Sequence, residues 1–169
     1  KECMSLASQP LHEVHLLIAD GKEDELKNTV HIHDVGCVKG RLSRMRLLPK
    51  RLLEKALSLD GDIYHLHDPE LIPMGLSLKK HGKKVIFDIH ENYLSRIDSA
   101  IKFKLIKKFL FKIWRGIEIN FIKKSNSGIV TTDTMKTLYE KANTDILTVS
   151  NTVYLDALKN IELDGIKKN

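Results

Sequence analysis

Two polar clusters follow apolar runs that read as strands, and both place histidine beside a carboxylate. His67 and Asp68 come directly after "DIYHL", and His90 and Glu91 come directly after "KKVIFDI". Imidazole titrates near neutral pH and a nearby carboxylate raises its basicity, so such a pair can deprotonate or orient a hydroxyl group. The sequence therefore predicts one polar site that contains these four residues.

Several of these residues also have a simpler structural interpretation. Asp68 and Glu70 flank a proline, as the residues at the start of a helix do, so we weigh capping and function equally for Asp68 and favour capping for Glu70. His65 shares a strand face with His67 but lies deeper in the strand, which favours a buried core histidine. His90 has no comparable structural explanation, and for it we favour function.

A metal site is the competing chemistry for the same residues. Two histidines beside an aspartate, with a further His-Glu pair, can bind zinc. His-x-His also occurs on strands without metals, and Cys3 and Cys37 stand apart from the cluster, so we predict no metal site. His31 and His33 alternate on another strand and receive no function. The sequence has no glycine-rich phosphate loop, so it gives no support for a nucleotide site in this chain.

The surrounding pattern alternates apolar runs with helical segments, which predicts an α/β fold, a doubly wound parallel sheet. We expect a helix to begin near Pro49, a long helix over about 99–124, and Thr132 or Asp133 to cap a further helix. Ligands bind outside the carboxyl ends of the strands in such sheets, where the histidine clusters fall. The chain opens on a helix-like segment, so we expect a preceding strand outside it.

Composition and charge further limit the possible classes of function. The chain has 169 residues, enough for one globular domain, and a formal net charge of +6. It lacks the long apolar run of a membrane-spanning helix. Cys3 and Cys37 form no evident disulfide framework, which favours a reducing compartment.

The positive charge is concentrated in "IKFKLIKKFLFKIWRGIEINFIKKSN". Within it we expect one stripe of residues to pack against the core: Ile106, Phe109, Leu110, Ile113, Ile117 and Phe121. The opposite face carries basic residues and one aromatic residue: Lys104, Lys107, Lys108, Phe111, Lys112 and Arg115. A basic face with aromatic side chains favours an anionic membrane surface as the partner, and no recognition motif accompanies it that would indicate nucleic acid.

Three segments together resemble a known family: "DIYHLHDPELIPMGLSLKKHGKKVIFDIHENY", "KECMSLASQPLHEVHLLIADG" and "SGIVTTDTMKTLYEK". They are similar to the N-terminal domain of family 4-like glycosyltransferases of the two-domain GT-B architecture, above all bacterial members that build surface polysaccharides. The resemblance runs from Lys1 to about Asn151. It is most specific in the His-Asp-Pro-Glu segment and the strand after it, and it implies a Rossmann-like fold.

The resemblance implies a hexosyltransferase-type enzyme of which this chain is one half. Residues 1–151 would form the acceptor-binding domain, and 152–169 a linker or terminal helix toward a C-terminal donor domain. The first strand and its glycine-containing loop would precede Lys1. The intact enzyme would use a nucleotide-sugar donor and a glycan or lipid-linked acceptor, with no cofactor in this chain, which alone would be inactive.

The resemblance also implies roles for individual residues. His90 matches a position beside the transferred sugar and would be catalytic, while His67, Asp68 and Glu91 would line the acceptor cleft. Relatives rest on the membrane through basic helices, which implies a cytoplasmic protein, peripheral at the inner face of the membrane. Two other functions remain open: a metal-dependent hydrolase that uses the His67, Asp68, His90 and Glu91 cluster, and a non-catalytic membrane-surface module.

Overall fold

The computed structural model describes residues 2–90, 104–143 and 145–150. In chain order the helices are α1 (Glu2–Ala7), α2 (Arg41–Leu59), α3 (Ile72–Lys80), α4 (Lys104–Lys124) and α5 (Asp133–Tyr139). The strands are β1 (Val14–Ile18), β2 (Glu25–Lys27), β3 (Val30–Asp34), β4 (Ile63–Leu66), β5 (Lys84–Ile89), β6 (Ser127–Val130) and β7 (Ile146–Thr148). A 3₁₀ turn, Pro69–Leu71, joins β4 to α3.

The strands form two groups. One is a four-stranded, wholly parallel sheet in the order β4-β5-β6-β7, and the other has the order β1-β3-β2 with β1 and β3 parallel. Parallel neighbours need crossover connections, which α3, α4 and α5 supply in the four-stranded sheet, whereas β2 connects the parallel strands β1 and β3. The predicted Rossmann-like α/β class is confirmed. Within the part of the chain that the structure describes, β1 and β4 each pair along one edge only.

The core lies on one face of β5. Val85, Phe87 and Ile89 alternate along that strand and are fully buried. The edge of the Phe121 ring, on α4, packs against Phe87 with their centroids 5.0 Å apart. Because successive residues of a strand point to opposite faces, Asp88 lies on the other face.

Strand β2 and its turn are absent from the sequence prediction. Asn28 and Thr29 both have positive φ, 48° and 66°, and Lys27 pairs with Val30 across them in an antiparallel register. Two left-handed residues form the type I′ turn that matches the twist of a hairpin. The sheet is therefore not wholly parallel, because β2 adds a short, exposed antiparallel edge.

The helix that we expected to begin near Pro49 begins at Arg41, so that prediction was wrong. Pro49 lies inside α2 and is buried, as are Leu52 and Ala56. An interior proline removes a backbone hydrogen bond and costs roughly 3 kcal/mol. Burial of this apolar face compensates for that cost. Local helix propensity alone does not reveal this burial.

The face of α4 that packs against the core also differs from the prediction. Ile106, Phe109, Leu110, Ile113 and Ile117, called here the α4 stripe, are all exposed. Of the residues assigned to the core, Phe121 alone is buried, beside Ile122. The buried face also contains Glu118, and Ser125 is buried directly after the helix, so these polar residues concealed the buried face in the hydrophobic pattern.

None of the helices in the described ranges combines the length and the apolar character that crossing a membrane requires.

Candidate functional site

The carboxyl ends of β4 and β5 bring two of the predicted site residues together. The strands pair in parallel with Leu66 opposite Phe87, so the next residues in register are His67 and Asp88. His67 Nδ1 lies 2.9 Å from His90 Nε2, and the two rings stack with an interplanar angle of 8°. The structure thus joins His67 and His90 at one sheet edge, while their chemical roles stay predictions.

Asp88 is the centre of this arrangement, and the sequence analysis missed it. The residue is 4% exposed, and its Oδ2 atom lies 3.2 Å from His90 Nε2, 3.5 Å from His67 Nδ1 and 3.4 Å from His65 Nε2. The strand period of two places Asp88 on the same face as His90. That period was the available signal, because a polar residue inside an apolar strand needs a partner.

The electrostatics of the site follow from these contacts. Burial raises the pKa of the Asp88 carboxyl, but the imidazoles of His65 and His67 and the charge of His90 outweigh it and hold the pKa well below its usual range. The pKa of His67 is raised, chiefly by the bond to Asp88, against the opposing effect of burial. Asp88 is therefore a fixed negative charge that attracts protons to the rings around it.

His65 belongs to the same cluster, so its assignment as a core histidine was wrong. Its Nδ1 atom lies 2.9 Å from Glu2 Oε1, and its ring lies 4.4 Å from that of His67. Glu2, in the first turn of α1, also places Oε2 3.8 Å from His67 Nε2. Glu2 carried no signal in the sequence, because only the tertiary fold brings α1 to this edge.

Asp68 lies outside the cluster of His67, Asp88 and His90. Asp68 is exposed and lines a neighbouring cleft with Ala19, Arg44 and Glu70, although its charge contributes to raising the pKa of His67. The Asp68 side chain makes no capping hydrogen bond to the turn after β4. Glu70 is exposed in the first turn of that short helix, where we expected it. Glu91 lies outside the described residues.

A second histidine cluster lies on β1 and β3. His15 Nδ1 is 3.0 Å from His33 Nε2, and the ring of His31 stacks on His15 with centroids 5.0 Å apart. Asp24 Oδ2 lies 3.0 Å from His33 Nδ1. These contacts join β3 to β1 and to the loop before β2.

The residues predicted to contact a membrane differ in their exposure along α4. Lys108 and Lys112 are exposed, whereas Phe111 is half-buried. Arg115 instead donates a hydrogen bond to the Leu138 carbonyl and lies over the Tyr139 ring, so it packs against α5. The side chains of Lys104 and Lys107 lie outside what the structure describes.

Comparison with known proteins agrees with the fold. The sequence profile described as Glycosyltransferase Family 4 matches residues 5–157, which is more than half of the chain. No curated protein matched the chain. The match over residues 5–157, together with the parallel sheet, leads to one assignment: the chain belongs to glycosyltransferase family 4.

Proposed function

We propose that the chain is the acceptor-binding domain of a hexosyltransferase that moves a sugar from a nucleotide-sugar donor to a glycan or lipid-linked acceptor. Synthesis of a bacterial surface polysaccharide is the setting that the resemblance favours. The contact between Asp88 and His90 is the observation that carries the proposal. It places an oriented, partly exposed imidazole at the edge of the sheet where such folds bind ligands.

In this proposal His90 is the catalytic residue. Its Nε2 atom is engaged by Asp88 Oδ2 and His67 Nδ1, and 40% of its side chain is exposed. Among the residues that the structure describes, His90 Nδ1 has no hydrogen-bond partner. A proton on Nε2, facing Asp88, leaves the lone pair on Nδ1, where it can accept a hydrogen bond from an acceptor hydroxyl and orient it.

The proposal assigns the donor to another part of the protein. Residues 1–151 bind the acceptor, and 152–169 lead toward a C-terminal domain that binds the nucleotide sugar. The chain supplies no phosphate-binding glycine motif of its own, which supports this division. Among the described residues, β1 and β4 each have one edge without a paired strand. These edges support a further strand before Lys1, because the backbone groups of such a strand would pair with them.

We also propose peripheral attachment to the anionic inner face of the membrane through α4. The α4 stripe exposes five large apolar side chains, with Phe109 65% exposed. Lys108, Lys112 and Lys123 are exposed on the same helix. Apolar burial and lysine attraction to anionic lipid reinforce each other, which suits an enzyme whose acceptor is lipid-linked. Arg115 is left out of this surface because it packs against α5.

The test of the transferase proposal is a transfer assay on the full-length protein that carries this chain. His90→Ala should lower turnover by roughly a hundredfold or more, the scale of a positioned polar or acid–base group. His81→Ala removes an exposed imidazole at the end of α3 and should leave turnover unchanged. Equal turnover in both variants, or a loss explained entirely by unfolding of His90→Ala, would refute the role of His90.

A further inference from the structure

We propose that Glu2, His65, His67 and Asp88 form a binding site for one divalent transition-metal ion, with Zn²⁺ as the best fit. The four side chains come from α1, from β4 and its carboxyl end, and from β5. Each offers one ligand atom, and these atoms all lie within 4.8 Å of one another. The site shares His67 and Asp88 with the proposed catalytic arrangement, but binding of the ion requires no donor, acceptor or second domain and can be tested without the transfer reaction.

The spacing of the ligand atoms suits a tetrahedral ion. Bonds of about 2.0–2.1 Å hold the ligand atoms of tetrahedral zinc about 3.3 Å apart. Here Asp88 Oδ2 lies 3.4 Å from His65 Nε2 and 3.5 Å from His67 Nδ1. The Glu2 carboxylate lies beside the same rings, with Oε1 2.9 Å from the other nitrogen of His65, and one ligand atom from each of the four residues lies within 4.8 Å of the others. Small side-chain rotations then bring one nitrogen of each ring and one oxygen of each carboxylate around a common centre.

Two buried polar atoms in this cluster supply an independent observation. Asp88 Oδ1 and His65 Nε2 are inaccessible to solvent and meet no hydrogen-bond criterion within the described part of the chain. A buried polar atom without a partner is destabilising, and such atoms are rare in folded proteins. Both atoms belong to proposed ligand residues, and His65 Nε2 is the ring nitrogen that faces Asp88, so a bound ion would satisfy it directly.

The charge and the chemistry of the donor set select the class of ion. Two carboxylates supply two negative charges, which a divalent cation neutralises, and neutral imidazole is a ligand of zinc and related metals. Ca²⁺ and Mg²⁺ prefer oxygen ligands throughout. Protonation of both rings would balance the same charge, but two imidazolium rings with centroids 4.4 Å apart would repel each other.

The ion would attach α1 to the edge of the sheet. That helix has no buried residue, and the contacts of Glu2 with His65 and His67 connect it to β4. His90 is not among the ligands and would stay available for the acceptor. The inferred role is therefore structural: the ion fixes α1 and the ring of His67, on which His90 stacks.

Metal binding to the purified full-length protein tests the site. Titration with Zn²⁺ followed by calorimetry should show one saturable site per chain, and Co²⁺ should give the intense visible absorption of a tetrahedral complex. Glu2→Gln and His65→Gln should each weaken Zn²⁺ binding by at least about tenfold and abolish the Co²⁺ absorption. His31→Gln is the matched control, since it removes an imidazole from the histidine cluster on β1 and β3.

Each outcome decides the proposal. Saturable binding lost in Glu2→Gln and His65→Gln but retained in His31→Gln supports it, provided that circular dichroism shows the variants folded. The absence of saturable binding would overturn it, as would a weak six-coordinate Co²⁺ spectrum or equal losses in all three variants. If either ligand variant unfolds, Zn²⁺ must raise the melting temperature of the unmodified protein, because an ion that binds only the folded state stabilises it. Failure to do so would also overturn the site.

Discussion

Gly75, on α3, meets the ring of Phe121, on α4, with no room for a side chain between them. A Cβ atom built on Gly75 would lie 2.6 Å from Phe121 Cε2 and 2.8 Å from Leu66 Cδ1. Phe121 is fully buried, so its ring has no solvent-facing position to which it can move. This contact sets the distance at which the two helices pack beside the sheet that carries the site.

Gly75→Ala should therefore destabilise the protein although alanine is the better helix former. Overpacking a core typically costs about 1–3 kcal/mol, and denaturant unfolding would measure the loss. Gly116→Ala is the matched control, because no atom of the described residues lies within 4 Å of a Cβ at that position of α4. It should stabilise the fold by about 0.5–1 kcal/mol through helix propensity. Equal effects of the two substitutions would show that this helix contact is looser than described.

Glu118→Gln should change how stability depends on pH. Burial raises the pKa of Glu118, although the Tyr139 hydroxyl donates a hydrogen bond to Oε2 at 2.8 Å and Arg115 lies near. The folded state thus holds the proton more tightly than the unfolded chain, in which the carboxyl has its ordinary pKa of 4.5. The stability that this proton contributes is complete below the unfolded pKa and is lost as the pH rises through the folded pKa.

The glutamine variant should consequently match the unmodified protein near pH 4 and become the more stable of the two toward pH 7. Each unit of pKa difference corresponds to about 1.4 kcal/mol, and urea unfolding at several pH values would measure it. Glu140→Gln, at an exposed position, should show no such divergence. A glutamine variant less stable than the unmodified protein at every pH would mean that the charged carboxylate stabilises the fold.

Thr132→Ala should weaken the start of α5. The Thr132 side chain accepts a hydrogen bond from the Met135 amide, as the predicted cap requires. Loss of such a cap costs about 1 kcal/mol. Thr134→Ala, exposed inside the same helix, should be neutral or slightly stabilising, and thermal unfolding of both variants would distinguish them. Equal melting temperatures would show that the cap contributes nothing.

The order of strands and helices was predictable because each central strand is a short apolar run bounded by turn residues. The same reasoning gave a wrong prediction for α4, because this helix carries two apolar faces. Its buried face includes Glu118, whose partner Tyr139 lies on α5 and is far away in the sequence. The more regular apolar stripe, from Ile106 to Ile117, was assigned to the core and is exposed. Periodicity identifies an amphipathic helix, but neighbouring elements decide which face they cover.

The site shows the same limit at the level of single residues. His67 and His90 were predictable because they directly follow neighbouring parallel strands. The strand period could have placed Asp88 on the same face as His90. Its position inside an apolar run instead suggested a residue that packs in the core. Glu2 was not predictable, since no local pattern connects the first turn of α1 with β4. Residues that reach a site from a strand end are visible in the sequence, and those brought by a distant helix are not.

The last prediction concerns the proposed membrane surface on α4. The full-length protein should bind vesicles that contain anionic lipid, and the binding should weaken as salt is added, because salt screens charge attraction at a surface. The double variant Lys108→Glu, Lys112→Glu should bind at least about tenfold more weakly, since each lysine near such a surface contributes about 1 kcal/mol. Lys80→Glu with Lys141→Glu makes the same change of charge at exposed positions outside α4 and should bind nearly as well as the unmodified protein. Vesicle co-sedimentation would measure all three proteins. Equal binding to neutral vesicles, or equal losses in the two double variants, would show that α4 is not the surface that contacts the membrane.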